Sequence, residues 1–104
     1  MIYAYIRVST KQQNIDRQYV EIKEFGVEDK FIYVDKESGK DFDRTNYKKL
    51  IKKLKKDDLL IVKSIDRLGR NYRMILEEWA HITKTIGADI KVLDMPLLDT
   101  RIEG

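Results

Sequence analysis

A chain of 104 residues has room for one core, and 38% charged against 42% hydrophobic residues describes a heavily charged surface around it. Cysteine is absent, which excludes disulfides, thiol chemistry and thiolate metal sites. No apolar run is long enough to span a membrane and no signal-peptide pattern opens the chain, so the cytoplasm is the expected setting.

Residues 2–8 are β-branched and aromatic and read as a buried strand. A helix is expected over 12–25, with Ile15, Tyr19, Ile22 and Phe25 at helical spacing and Gly26 as its stop. Residues 31–35 form a second short strand. The polar stretch 36–43 with its one glycine reads as a mobile loop, and Asp43 can cap the helix that follows, whose apolar stripe is Tyr47, Leu50, Ile51 and Leu54. Residues 59–63 are a third strand, apolar enough to be central in a parallel sheet. Asn71 can cap a helix over 72–86 with a buried stripe of Ile75, Trp79, Ile82 and Ile86, ended by Gly87. Residues 90–93 are a fourth strand.

The order β-α-β-α-β-α-β argues for a single α/β domain over residues 1–104. Its expected core is an open, mainly parallel four-stranded sheet with helices on its faces, a flavodoxin- or Rossmann-type layering. The order of the strands within the sheet is not readable from pattern. The net charge of +3, from 21 basic and 18 acidic residues, is a weak hint of a nucleic-acid partner. The densest basic run is Lys48, Lys49, Lys52, Lys53, Lys55 and Lys56, and its ordinary reading is a solvated helix face.

Open parallel sheets bind ligands outside the carboxyl ends of their strands. Strand one leaves through Arg7-Val8-Ser9-Thr10, strand two at Asp35, and strand three through Ser64-Ile65-Asp66-Arg67-Leu68-Gly69-Arg70-Asn71. Strand alternation puts Arg7 and Ser9 on one side, where a guanidinium fork and a hydroxyl nucleophile can meet the same anion. A helical turn at the third exit would bring Arg67 and Arg70 to one face. Several arginines with one serine and one aspartate suit a phosphoryl transition state better than a carbonyl, because arginine binds phosphate oxygens bidentately and stays protonated.

Taken singly, each residue has a plainer role. Ser9 can cap a helix, Arg7 can pair with Asp35 or Asp66, and Asp66-Arg67 can be a turn with its own salt bridge. Gln13 and Gln18 are ordinary helix residues unless something beside them needs polar contacts. The one histidine, His81, falls away from the strand exits, so a Ser-His-Asp relay is unsupported. No Walker A loop, GxGxxG or diagnostic metal-ligand spacing is present, and no cofactor or metal is expected.

The segment Tyr5-Ile6-Arg7-Val8-Ser9-Thr10-Lys11-Gln12-Gln13 with Asp16-Arg17-Gln18 resembles the N-terminal signature of serine recombinases, the resolvases and DNA invertases. Lys63-Ser64-Ile65-Asp66-Arg67-Leu68-Gly69-Arg70-Asn71 resembles that family's second signature. Asp35-Lys36-Glu37-Ser38-Gly39 and Asp43-Arg44 match at fitting intervals, so the likeness runs from about residue 2 to residue 101.

The resemblance implies that Ser9 attacks a DNA phosphodiester to give a 5′-phosphoserine and a free 3′-hydroxyl. It implies that Arg7, Arg44, Arg67 and Arg70 surround the scissile phosphate, and that Gln13, Gln18 and Asp66 order the site. The implied partner is double-stranded DNA, with dimers or tetramers in the full-length protein, and no small-molecule cofactor or membrane. Family members continue into a long oligomerisation helix and, in the resolvase type, a helix-turn-helix domain. This chain is therefore expected to be a catalytic core, inactive alone. The rival expectations are a non-catalytic DNA-binding member of the same fold and a phosphate-binding regulatory module.

Overall fold

A computed structural model describes residues 1–9, 15–37, 45–69 and 71–95. Strand β1 (Ile2–Ser9) leads to helix α1 (Ile15–Phe25), then a 3-10 turn (Asp29–Phe31) and β2 (Ile32–Glu37). Helix α2 (Thr45–Lys53) precedes β3 (Leu59–Val62), and a second 3-10 turn (Ile65–Leu68) leads to α3 (Tyr72–Ala80). The α3 axis continues as a π-helical segment (His81–Ile86) before β4 (Asp89–Val92). The alternation expected from the sequence is the alternation found, and all four strands are parallel.

The strand order is β2-β1-β3-β4. The first crossover, through α1, steps outward from β1 to the edge strand β2. The second, through α2, returns past β1 to β3, and the chain then proceeds to β4. Because the direction of travel reverses, α1 and the pair α2–α3 cover opposite faces. Ile22 of α1 packs with Ala4, Ile6, Leu59 and Ile61 on one face. Tyr47 and Leu50 of α2 and Ile82, beyond α3, pack with Tyr3, Tyr5, Leu60 and Val62 on the other. This accounts for the unbroken apolar run Leu59–Val62, since a central strand covered on both faces has no polar side. Each such buried aliphatic contributes about 1.5–3 kcal/mol.

Local signals fixed several element ends. The Asn71 side chain accepts the Met74 N–H at 2.8 Å, capping α3 as expected. Gly87 ends the third helix with φ of +84°, a conformation that suits glycine. The expected stripe along that helix is only partly buried, however. Ile82 is fully enclosed, whereas Ile75, Trp79 and Ile86 are half-buried. Ile75 and Trp79 lie in the α-helical part, while Ile82 and Ile86 lie in the π-helical segment, whose wider turn departs from the 3.6-residue register that the stripe assumes.

Strand β2 runs two residues further than expected, taking Lys36 and Glu37 out of the anticipated loop. The rest of that loop, with Asp43, lies outside the described residues. None of the helices among the described residues is long and apolar enough to cross a membrane.

Candidate active site at the β1–β3 switch point

The strand order puts the topological switch between β1 and β3, the two strands whose exits carry the arginine-rich segments. Crevices of open parallel sheets form at such points, outside the carboxyl ends.

Arg7 lies in β1 next to Asp35 of β2 in the ladder register, and it is only 7% exposed. Its neighbours on the same face, Tyr3 and Tyr5, belong to the core beneath α2 and α3. Asp35 is itself enclosed, and its carboxylate is the acceptor for three donors. The Tyr5 hydroxyl donates to Oδ2 at 2.8 Å, the Tyr47 N–H to Oδ2 at 3.0 Å, and the Asn46 N–H to Oδ1 at 3.0 Å. Asp35 therefore caps the first turn of α2 from a neighbouring strand, satisfying two N–H groups that the helix cannot satisfy internally. Asn46 returns a hydrogen bond from Nδ2 to the Val34 carbonyl. The start of α2 is thus fastened to the exit of β2, beside Arg7.

Arg67 sits in the 3-10 turn after β3. Ile65 and Leu68, three apart, share one side of that turn, and Leu68 is fully buried. The turn is pressed against α3: a Cβ on Gly69 would meet Met74 Cβ and Cγ at 2.8 Å and the Ile75 nitrogen at 2.9 Å. A glycine is required there for close approach. The Arg67 Nε is buried and has no hydrogen-bond partner among the described residues. An unmatched cationic donor in such a place is costly unless an anion accepts from it.

Ser9 closes β1 two residues after Arg7, with Glu37 as its neighbour in the ladder. Asp66 precedes Arg67 in the 3-10 turn. Gln18 lies on α1, is 4% exposed, and its Oε1 has no hydrogen-bond partner among the described residues. It occupies the helix that covers the Ala4–Ile6 face, one turn before Ile22, while Arg7 belongs to the opposite face. Gln13, Arg44 and Arg70 lie outside the described residues. His81 is exposed on the third helix, away from the strand exits, as expected.

The profile of the family described as "Resolvase, N terminal domain" matches residues 2–103. The chain belongs to that family. It is 43% identical over 70 residues to the Transposon Tn3 resolvase of Escherichia coli, covering 67% of this chain and 38% of that protein. A DNA-invertase of Enterobacteria phage P7 is 40% identical over 76 residues, 73% of this chain and 40% of the relative. A resolvase of Clostridium perfringens is 34% identical over 100 residues, 96% of this chain and 52% of the relative. The chain thus spans about half the length, or less, of these relatives.

This resolvase domain contains two polar arrangements that sequence reasoning did not find. One is the Tyr5–Asp35–α2 cap; Tyr5 reads as core filler and Asp35 as a possible ion-pair partner until strand pairing is known. The other is Lys63, at the exit of β3. Its ammonium donates to both oxygens of Glu21 on α1, at 3.1 and 2.9 Å, and lies 3.1 Å from Asp94 after β4. The Glu21 carboxylate, with help from Asp94, raises the Lys63 pKa. Three segments distant in sequence are tied together there, and no local pattern announces it.

Proposed function

We propose that this resolvase domain carries the chemistry of a serine site-specific recombinase acting on double-stranded DNA. Ser9 Oγ attacks the scissile phosphorus. The serine hydroxyl gives its proton to solvent as the new Oγ–P bond replaces the P–O3′ bond, leaving a 5′-phosphoserine and a 3′ oxygen that takes up a proton in return, with Asp66 assigned to that leaving oxygen. Reversal of the same exchange rejoins strands, and because one ester replaces another, no external energy source is needed. Arg7 and Arg67, with Arg44 and Arg70, stabilise the charge on the equatorial oxygens. Gln13 and Gln18 order the groups around the phosphate.

The observation that carries this reading is the Arg67 Nε, buried and unmatched among the described residues at the exit of β3, across the switch point from the buried Arg7 and from Ser9. A guanidinium held partly out of water is a preorganised receptor for an anion, and it needs no reorganisation when charge develops. The relatives named above, a resolvase of a transposon and a DNA-invertase, support a DNA phosphodiester as that anion.

The test is a covalent trap. The full-length protein bearing this domain is incubated with its recombination site under conditions that stall rejoining, and DNA 5′ ends are examined for attached protein. The parent gives an adduct; Ser9→Ala binds the site and gives none. An undiminished adduct from Ser9→Ala removes the serine from the mechanism. Binding without an adduct by the parent leaves the non-catalytic reading in its place.

A further inference from the structure

The charge of this domain is not spread evenly. Residues 48–56 hold six lysines and no acidic group. The other 95 residues carry fifteen basic and eighteen acidic groups, a balance of −3. The domain is therefore acidic apart from one basic ridge.

All six lysines of the ridge are exposed, and none makes an ion pair among the described residues. Four of them lie on α2, opposite the buried Tyr47 and Leu50. A helix face that serves solubility alone gains by interleaving carboxylates at i and i+4. Helix α2 contains no acidic residue at all, and Lys48–Lys52 and Lys49–Lys53 are like-charge i,i+4 pairs that oppose the helix. The helix dipole favours Lys52 and Lys53 in the last turn but offers nothing to Lys48 and Lys49. Carboxylates are near on one flank: Lys48 and Lys52 share the groove between α2 and α3 with Glu77 and Glu78. Local stability thus does not account for the ridge.

Its position does. The first turn of α2 is fastened to Asp35 at the carboxyl edge of the sheet, beside Arg7. From there the lysines lead away along the outside of the helix. Nine helical residues extend about 13 Å, which faces roughly four phosphates of one DNA strand at about 3.4 Å each.

We propose that the outer face of α2, through Lys49, Lys52 and Lys53, is a second DNA-contact surface that grips the phosphates of duplex flanking the cleavage point, without reading sequence. The proposal rests on the recombinase reading and extends it to where the flanking duplex lies. Phosphate contacts of this kind fix register and orientation and carry no base information.

The experiment uses this chain and a fluorescent duplex of arbitrary sequence, with binding followed by anisotropy between about 50 and 200 mM salt. Each lysine that neutralises a phosphate contributes about 0.9 to the slope of log K against log salt. The Lys49→Gln/Lys52→Gln/Lys53→Gln variant is expected to bind more weakly at low salt and to lose about 2–3 from that slope. Its melting temperature stays level or rises, because like-charge pairs are relieved. The control Lys30→Gln/Lys84→Gln, also exposed lysines, keeps the parental slope. Equal losses per charge removed in the two variants mean that only net charge matters, and the surface is overturned. A parental chain that ignores DNA but binds an acidic protein would overturn it too. The covalent trap is scored separately in the full-length protein carrying the same triple substitution, at saturating DNA. An adduct with an unchanged slope defeats the α2 surface alone, while a changed slope with no adduct in the parent defeats the recombinase chemistry alone.

Discussion

At the amino-terminal edge of the sheet Asp58 is 8% exposed, yet its carboxylate is used up locally. It accepts the Lys55 N–H at 2.9 Å and the Met1 ammonium at 3.2 Å, while its backbone carbonyl accepts the Asp89 N–H at 2.8 Å. At the carboxyl edge, Asp35 is equally well matched, but Arg67 Nε and Gln18 Oε1 are buried and left over among the described residues. The two edges belong to the same strands. What separates them is whether the buried polar groups balance. The first edge is closed by its own hydrogen bonds, whereas the second holds a buried donor and a buried acceptor that are unmatched among the described residues.

That difference makes opposite demands on mutation. Removal of Arg7 or Arg67 acts on the open edge and should give the largest effect. In the full-length protein, alanine at either position is expected to slow cleavage by about 10²–10³-fold, with little change in site affinity, since a transition-state donor is lost. Lysine should rescue poorly because it lacks the planar fork. Single-turnover cleavage and a gel shift measure the two quantities. Parental cleavage rates in both alanine variants would erase the functional distinction between the edges.

Asp35→Ala tests the boundary, because this residue is structural although it stands at the open edge. Its loss strands the buried Tyr5 hydroxyl and two N–H groups of α2, at a cost of about 3 kcal/mol. For a domain of this size that lowers Tm by more than about 10 °C. Thermal unfolding by circular dichroism reads it directly, and a shift below a few degrees would mean that the cap is dispensable.

Asp58→Ala should cost less, about 1–2 kcal/mol, since it removes one backbone hydrogen bond and a half-exposed terminal ion pair. It should leave cleavage by the folded protein unchanged. A fall in cleavage below the melting transition would show that the closed edge also supports catalysis.

The smallest effect belongs to Lys63→Met, which breaks a partly exposed ion-pair cluster and is expected to cost under about 1 kcal/mol. Its pH dependence is more distinctive. The Lys63 pKa is raised above its ordinary value of 10.5, principally by Glu21. A raised cation stabilises the fold fully below that ordinary value, and the contribution fades as pH rises through the raised one. The stability gap between parent and Lys63→Met should therefore be constant through neutral pH and narrow under strongly alkaline conditions. A gap that instead widens with rising pH contradicts the pairing.

Much of this architecture was legible in residues close together in sequence. Asn71 followed three residues later by the helix N–H it accepts, Gly26 and Gly87 at helix ends, and the apolar run 59–62 are all short-range features. Hydrogen-bond capping, backbone freedom and side-chain period act within a turn or two. They determined the β-α alternation and hence the parallel layering, and with it the place of Arg7, Ser9, Asp66 and Arg67 at strand exits. The π-helical rotation after Ala80 was not legible, because six residues of ordinary composition give no warning of a changed period.

Only the tertiary structure decided which exits become neighbours. The β2-β1-β3-β4 order sets β1 beside β3, and nothing in either strand's composition dictates that pairing, since both are simply apolar and β-branched or aromatic. The same holds for Asp35 capping a helix eleven residues away and for Lys63 bridging Glu21 and Asp94. Each depends on where another segment comes to rest, and that is settled by burying two opposite helix layers at once. The sequence supplied the charged groups, and the folded sheet determined which of them are buried and which segments they meet.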